Sequence, residues 1–243
     1  MKEMIISNLK EVHNRISNAC KLSGRNVSDV QLLLATKTVP ADKIRIAIEA
    51  GETLIGENKM QELRDKDLEL KGLDIERHFI GHLQTNKIKE VVRYASCIQS
   101  LDRLNLAEEL DKQLQKEGRN LDIFVQVNTS FEASKFGLPP DEVISFLRKI
   151  KKYDTLNVKG LMTIGLLDAE KEKMQPSLRL LRKVRDEIDA EGIENIQKLR
   201  LSMGMSQDLE LAVSEGSNIV RIGTSIFGNR FLGKEIWNEN IAE

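Results

Sequence analysis

Eight short apolar runs recur along this sequence, separated by seven longer segments with helical periodicity. The runs cover residues 31–35, 53–56, 78–83, 97–101, 122–127, 158–164, 199–202 and 219–222. Amphipathic patterns fill residues 41–50, 58–71, 86–94, 103–117, 140–152, 170–191 and 207–215. Apolar runs of four to seven residues between such helices read as strands buried on both faces, which is the signature of a parallel sheet covered by helices. Eight units in 243 residues predict a closed (β/α)8 barrel of the TIM type, with a doubly wound open sheet as the alternative. Ahead of the first strand, Met4, Ile5, Leu9, Val12, Ile16 and Ala19 fall on one helical face, and Gly24 supplies a stop. The expectation is an α/β barrel with an additional N-terminal helix, forming one domain over residues 1–243 with no linker or low-complexity stretch.

The charge balance narrows the partners. With 37 basic and 38 acidic residues the net charge is −1, so no global field calls for nucleic acid or an anionic membrane. Any anion site has to be local. The hydrophobic fraction of 40% against 31% charged is that of a folded chain and not a disordered one. Cys20 and Cys97 match no metal-ligand spacing and read as reduced thiols, and the three histidines, His13, His78 and His82, are too dispersed for a metal site. The charged start and the absence of an apolar run near the ~20 residues of a membrane span predict a cytoplasmic protein; a monomer is expected.

In a barrel the ligand sits where strands end at their C-terminal side, so the polar residues there carry the functional signal. The first run ends in Thr36-Lys37-Thr38, the second in Gly56-Glu57-Asn58, the seventh in Ser202-Met203-Gly204-Met205-Ser206 and the eighth in Arg221-Ile222-Gly223-Thr224. Lys37 follows an apolar strand directly. Partial desolvation there would lower its pKa toward a nucleophilic amine suited to Schiff-base chemistry. The alternative is a lysine whose stem covers the barrel end while its ammonium reaches water, and position alone favours it. Gly204 and Gly223, with Ser206 and Thr224, suit phosphate held by backbone amides and hydroxyls after strands seven and eight, or else ordinary turns with Ser206 capping the next helix. Arg221, among Ile219, Val220 and Ile222, needs a partner inside the barrel: either Glu57 or a ring nitrogen of a ligand.

These blocks together resemble the pyridoxal phosphate homeostasis protein family, whose fold is like the N-terminal barrel of alanine racemase. The resemblance rests on Leu33-Leu34-Ala35-Thr36-Lys37-Thr38, Ile55-Gly56-Glu57-Asn58, His78-Phe79-Ile80-Gly81 and Leu83-Gln84-Thr85-Asn86-Lys87. It continues through Lys159-Gly160-Leu161-Met162, Leu201 to Ser206, and Val220 to Gly228, and so covers nearly the whole chain. It implies that pyridoxal 5′-phosphate (PLP) is held as a Schiff base on Lys37. It further implies that Ser202, Gly223 and Thr224 hold the phosphate, with Met203 and Asn58 nearby, and that Arg221 faces the pyridine nitrogen. The loop from Asn128 to Gly137 carries Phe136 where the family more commonly has a small residue, and His82 stands at a variable position; neither is given a role.

Three functions compete: a carrier acting in intracellular PLP homeostasis and transfer to PLP-dependent apoenzymes, an amino-acid racemase, and an enzyme acting on a free phosphorylated metabolite. The last leaves Arg221 unexplained. Two-base racemisation needs an acid/base on each face of the cofactor. In alanine racemase the second is a tyrosine supplied by an additional β domain of the partner subunit, and this chain ends shortly after its eighth strand with only Tyr94 and Tyr153, both in predicted outer helices. The carrier without robust catalysis is the expectation, and a racemase the alternative.

Overall fold

The protein is described by a computed structural model over residues 1–166, 170–196 and 198–228, the side chain of Lys171 apart. Eight parallel strands close in sequence order: β1 (Gln31–Ala35), β2 (Leu54–Glu57), β3 (Glu76–Phe79), β4 (Cys97–Leu101), β5 (Leu121–Gln126), β6 (Leu156–Met162), β7 (Arg200–Ser202) and β8 (Ile219–Ile222). The first and last strands seal the barrel, Leu32 lying beside Val220 and Leu34 beside Ile222. The open-sheet alternative is therefore excluded.

Around them lie α2 (Ala41–Glu49), α3 (Met60–Glu69), α4 (Ile88–Tyr94), α5 (Leu104–Glu117), α6 (Val143–Ile150), α7 (Lys171–Glu191), α8 (Leu209–Ser214) and the one-turn α9 (Thr224–Phe227). Before β1 comes α1 (Lys2–Leu22). Its Ile5, Leu9, Val12, Ile16 and Ala19 recur every three or four residues and bury one stripe against α2, α8 and α9. Each of the four larger side chains contributes about 1.5–3 kcal/mol by leaving water. Arg15 on the same helix reaches Glu210 at 2.7 Å and the Ser206 carbonyl at 3.0 Å, tying α1 to the turn after β7. Among the described residues no helix is long and apolar enough to cross a membrane.

Strands β3, β5 and β6 begin earlier than their apolar runs predict. The third run spans 78–83, yet the ladder takes Glu76–Phe79, joined from its first residue by Glu76 N–H donating to the Thr53 carbonyl at 2.7 Å. Backbone pairing, indifferent to side-chain polarity, extends β3 through Glu76 and Arg77 at the barrel's lower end. Ile80 and Leu83 instead pack at the turn above it. In β6 the register shifts opposite Ile123 and Phe124, and Gly160 absorbs it. A side chain there would begin 2.1 Å from the Arg200 carbonyl oxygen, and the Phe124 ring occupies the remaining room.

The barrel interior is mixed. Leu33, Leu54, Cys97, Phe124, Met162 and Ile219 form an apolar plug. Through it runs a chain of polar groups that starts at the exposed Glu76 and is buried from His78 onward. Glu76 meets His78 Nε2 at 2.7 Å, His78 Nδ1 meets Gln99 Nε2 at 2.6 Å, and Ser202 Oγ donates to Gln99 Oε1 at 2.6 Å. Arg221 Nη1 then donates to Ser202 Oγ at 2.9 Å, and its Nη2 to the Thr163 carbonyl at 2.7 Å. Every link offsets the desolvation of a group that would otherwise be buried unpaired.

Candidate functional site

At the C-terminal ends of β1, β7 and β8 the barrel opens into a cavity of about 480 Å³. Lys37, Ser206, Arg221, Gly223 and Thr224 line it, together with Lys43 and Asp208. Strand order makes this meeting unavoidable: β8 is hydrogen-bonded to both β7 and β1, so the three turns share one rim.

Lys37 is half-buried, two residues beyond the end of β1 and between two anchored neighbours. Thr36 is fully buried, and its Oγ1 donates to Glu57 Oε1 at 2.6 Å. Thr38 adopts φ +62°, and its N–H donates to Glu62 Oε1 at 3.0 Å. On the neighbouring stretch of the rim the turns after β7 and β8 meet through their hydroxyls, Ser206 Oγ and Thr224 Oγ1 standing 3.2 Å apart. Gly223 is required there: a Cβ would sit 2.7 Å from the Ala35 carbonyl oxygen. The glycine lets the β8 turn press against β1 and brings Thr224 beside Lys37.

Arg221 is buried at 5% exposure, and among the described residues no carboxylate hydrogen-bonds it. Burial pushes its pKa down to about 10, while Asp208 acts through space in the opposite sense. It stays cationic at neutral pH. Burial also raises the carboxyl of Asp208, against the Met205 N–H, which donates to it at 2.6 Å, and the field of Arg221. The wall thus presents a buried cation, a lysine amine and two converging hydroxyls to one space. That donor set suits an anion with a reactive carbonyl and an aromatic ring nitrogen.

Of the residues singled out from sequence, Lys37, Arg221, Gly223 and Thr224 line the cavity together. Ser202 and Met203 lie beneath it, fully buried, with the Ser202 hydroxyl engaged by Gln99 and Arg221. Asn58 is half-buried at the end of β2 and is not part of the lining. The Arg221–Glu57 pair does not form: Glu57 takes Lys66 Nζ at 2.7 Å instead. Nor does Ser206 cap the following helix, since Asp208 occupies that position in α8. Lys43 and Asp208 escaped the sequence reading because both sit in segments that read as ordinary helix starts. The supports of Arg221 carried one usable signal, the amide of Gln99 inside the apolar run Cys97–Leu101.

With this geometry in place, comparison with known proteins is decisive. The sequence matches the alanine racemase N-terminal domain family over residues 8–230. It is 42% identical over 222 residues to the pyridoxal phosphate homeostasis protein of Aquifex aeolicus, an alignment spanning 91% of this chain and 96% of the other. The chain belongs to the pyridoxal phosphate homeostasis protein family. A solved homologue, PipY of Synechococcus elongatus with PLP bound, superposes with a TM-score of 0.77 at 32% identity, covering 88% of this chain and all of PipY. Alanine racemase of Clostridium difficile shares the fold of this chain at a TM-score of 0.75 and 13% identity. This chain covers 59% of that racemase.

Proposed function

We propose that this protein binds PLP as a Schiff base on Lys37 and acts in PLP homeostasis in the cytoplasm, holding the cofactor and passing it to PLP-dependent apoenzymes without robust catalysis of its own. The observation that carries this reading is the meeting of Lys37, Arg221 and the Ser206 and Thr224 turns in the lining of one cavity. The names of relatives at this level of identity, and PLP bound in PipY, support it. PLP held there would supply an aldehyde that condenses with amines and a pyridine ring that accepts electron density.

The residues divide the work. Lys37 offers the amine. Gly223 and Thr224 offer backbone N–H groups, and Thr224 and Ser206 hydroxyls, to a phosphate. Arg221 donates toward a ring nitrogen from a guanidinium already fixed by Ser202 and Thr163. Met203 and Asn58 act as neighbours of this set, and Ser202 through Arg221.

The purified protein incubated with PLP is expected to be yellow, and borohydride is expected to fix the cofactor on Lys37. Intact mass and peptide mapping decide it: an adduct on another lysine, or none, overturns the assignment. Pyridoxal lacking the phosphate is expected to bind at least ~10-fold more weakly, because each charge-assisted hydrogen bond to a phosphate oxygen contributes about 1.5–3 kcal/mol. Equal dissociation constants for the two compounds in a fluorescence titration would remove the phosphate role of the β7 and β8 turns.

A further inference from the structure

Behind the turn that carries Lys37 lies a pair of carboxyl groups, Glu57 fully buried and Glu62 partly so, its side chain 19% exposed. Glu57 closes β2 with its side chain 1% exposed. Its Oε1 accepts from Thr36 Oγ1 at 2.6 Å and from Lys66 Nζ at 2.7 Å. Glu62, on α3, uses Oε1 to accept the Thr38 N–H, and Lys66 Nζ also donates to the Thr36 carbonyl at 2.8 Å. Both neighbours of Lys37 are therefore tied to one cluster. The tie matters most at Thr38, a β-branched residue held at φ +62°, a conformation that persists only where surrounding contacts enforce it.

The remaining oxygens expose an imbalance. Oε2 of Glu57 and Oε2 of Glu62 are both buried with no hydrogen-bond partner. Lys66 Nζ lies 3.8 Å from the second of them, within ion-pair reach but too far to donate. From β1 the pair meets the Thr36 hydroxyl, and in register from β3 it meets Phe79. From α3 it meets Lys66, with Lys59 reaching Glu62 through space. Of the two carboxyl groups Lys66 donates only to Glu57 and stands at ion-pair distance from Glu62, and Lys59 acts on Glu62 through space, so neither Oε2 receives a donor. A single proton between the two Oε2 atoms satisfies both and leaves the cluster with Lys66 balanced. Burial pushes the Glu57 carboxyl up to about 8, helped by Glu62 and opposed by Lys66 and Thr36. Burial acts the same way on Glu62 but is outweighed by Glu57, Lys66, Thr38 and Lys59, which hold that carboxyl below its ordinary value.

We propose that Glu57 and Glu62 share one proton and form a latch that positions the Lys37 turn. The latch gains its functional meaning from the reading that Lys37 carries the cofactor. Neither glutamate lines the cavity, so both are positioning residues. The sign follows from the direction of the shift. Glu57 is raised in the fold, so its contribution is present at acid pH and is lost as pH rises through about 8. Above that point two carboxylates face each other with one bonded lysine, and the Glu62 contact to Thr38 loosens.

The test reads the carboxyl directly, by infrared spectroscopy of the PLP-loaded and PLP-free protein from neutral to alkaline pH. One protonated-carboxyl band is expected at neutral pH, lost with a midpoint near about 8 and absent in Glu57→Gln. In parallel, the amide proton shift of Thr38 is expected to move with that midpoint and to stay constant in Glu57→Gln, where the amide NH2 donates to Glu62 at every pH. Absence of the band in the unmodified protein, a Thr38 shift indifferent to pH, or an unchanged titration in Glu57→Gln would each overturn the latch. The unmodified protein alone suffices should the variant not fold. Failure of borohydride labelling at Lys37 would instead sink the cofactor reading while leaving the carboxyl band intact.

Discussion

Replacing Arg221 by glutamate is expected to shift the absorption of the bound cofactor, to raise the pKa of its ring nitrogen and to destabilise the fold; lysine at the same position perturbs the spectrum less. The guanidinium is pinned from two sides, to Ser202 Oγ and to the Thr163 carbonyl, and burial does not bring its pKa near neutrality. A ring nitrogen accepting a hydrogen bond from a fixed cation resists protonation, because two adjacent positive charges repel. A carboxylate reverses that field and favours the protonated ring. Lysine keeps the charge but not the fork that spans Ser202 and Thr163. The glutamate also leaves the Thr163 carbonyl without its donor, a loss of about 1–3 kcal/mol for a buried acceptor. A nitrogen-15 shift of labelled cofactor reads the ring, and denaturant titration reads the stability. A protonated pyridine in the unmodified protein would end this account.

That pinning is where sequence and structure part company. The barrel was legible because eight apolar runs separated by helical periods admit few other closures, and because side chains at strand ends converge whichever helix covers them. Lys37, Arg221, Gly223 and Thr224 came together for that reason alone. Ser202 was harder. Its place after Leu201 fits either a phosphate ligand or a wall residue, and only the shortness of β7 and the neighbouring Gln99 decide that its hydroxyl turns inward. The latch was less legible still. Glu57 and Glu62 look like a strand end and a solvated helix face, and their meeting depends on where α3 starts relative to β2, which a periodicity leaves open by a residue or two. The polar chain from Glu76 to Arg221 crosses four strands, and no local pattern encodes a contact such as Ser202 with Gln99, 103 positions apart.

Amino-acid racemisation is expected to fall below any useful rate. An arginine-paired, unprotonated pyridine is a weak electron sink, so α-proton loss would depend heavily on acid–base groups placed on both faces of the ring. With the cofactor held on Lys37 as proposed, that lysine can serve one face only once it is released. Among the described residues the other charged groups lining the cavity are Lys43, Asp208 and Arg221, and Asp208 is occupied by the Met205 N–H. The two tyrosines of the sequence are elsewhere: Tyr94 ends α4 and Tyr153 follows α6, both packed against the core between helices and barrel. General acid–base help contributes typically ~10²–10⁴-fold, so a face without a partner forfeits that factor. Exchange of amino acids at Lys37 without turnover is the behaviour suited to a carrier. Solvent-deuterium incorporation and chiral analysis of alanine and serine with PLP-loaded protein measure it. Turnover approaching ~1 s⁻¹, the lower range of ordinary enzymes, would overturn the carrier and place a second base in this cavity.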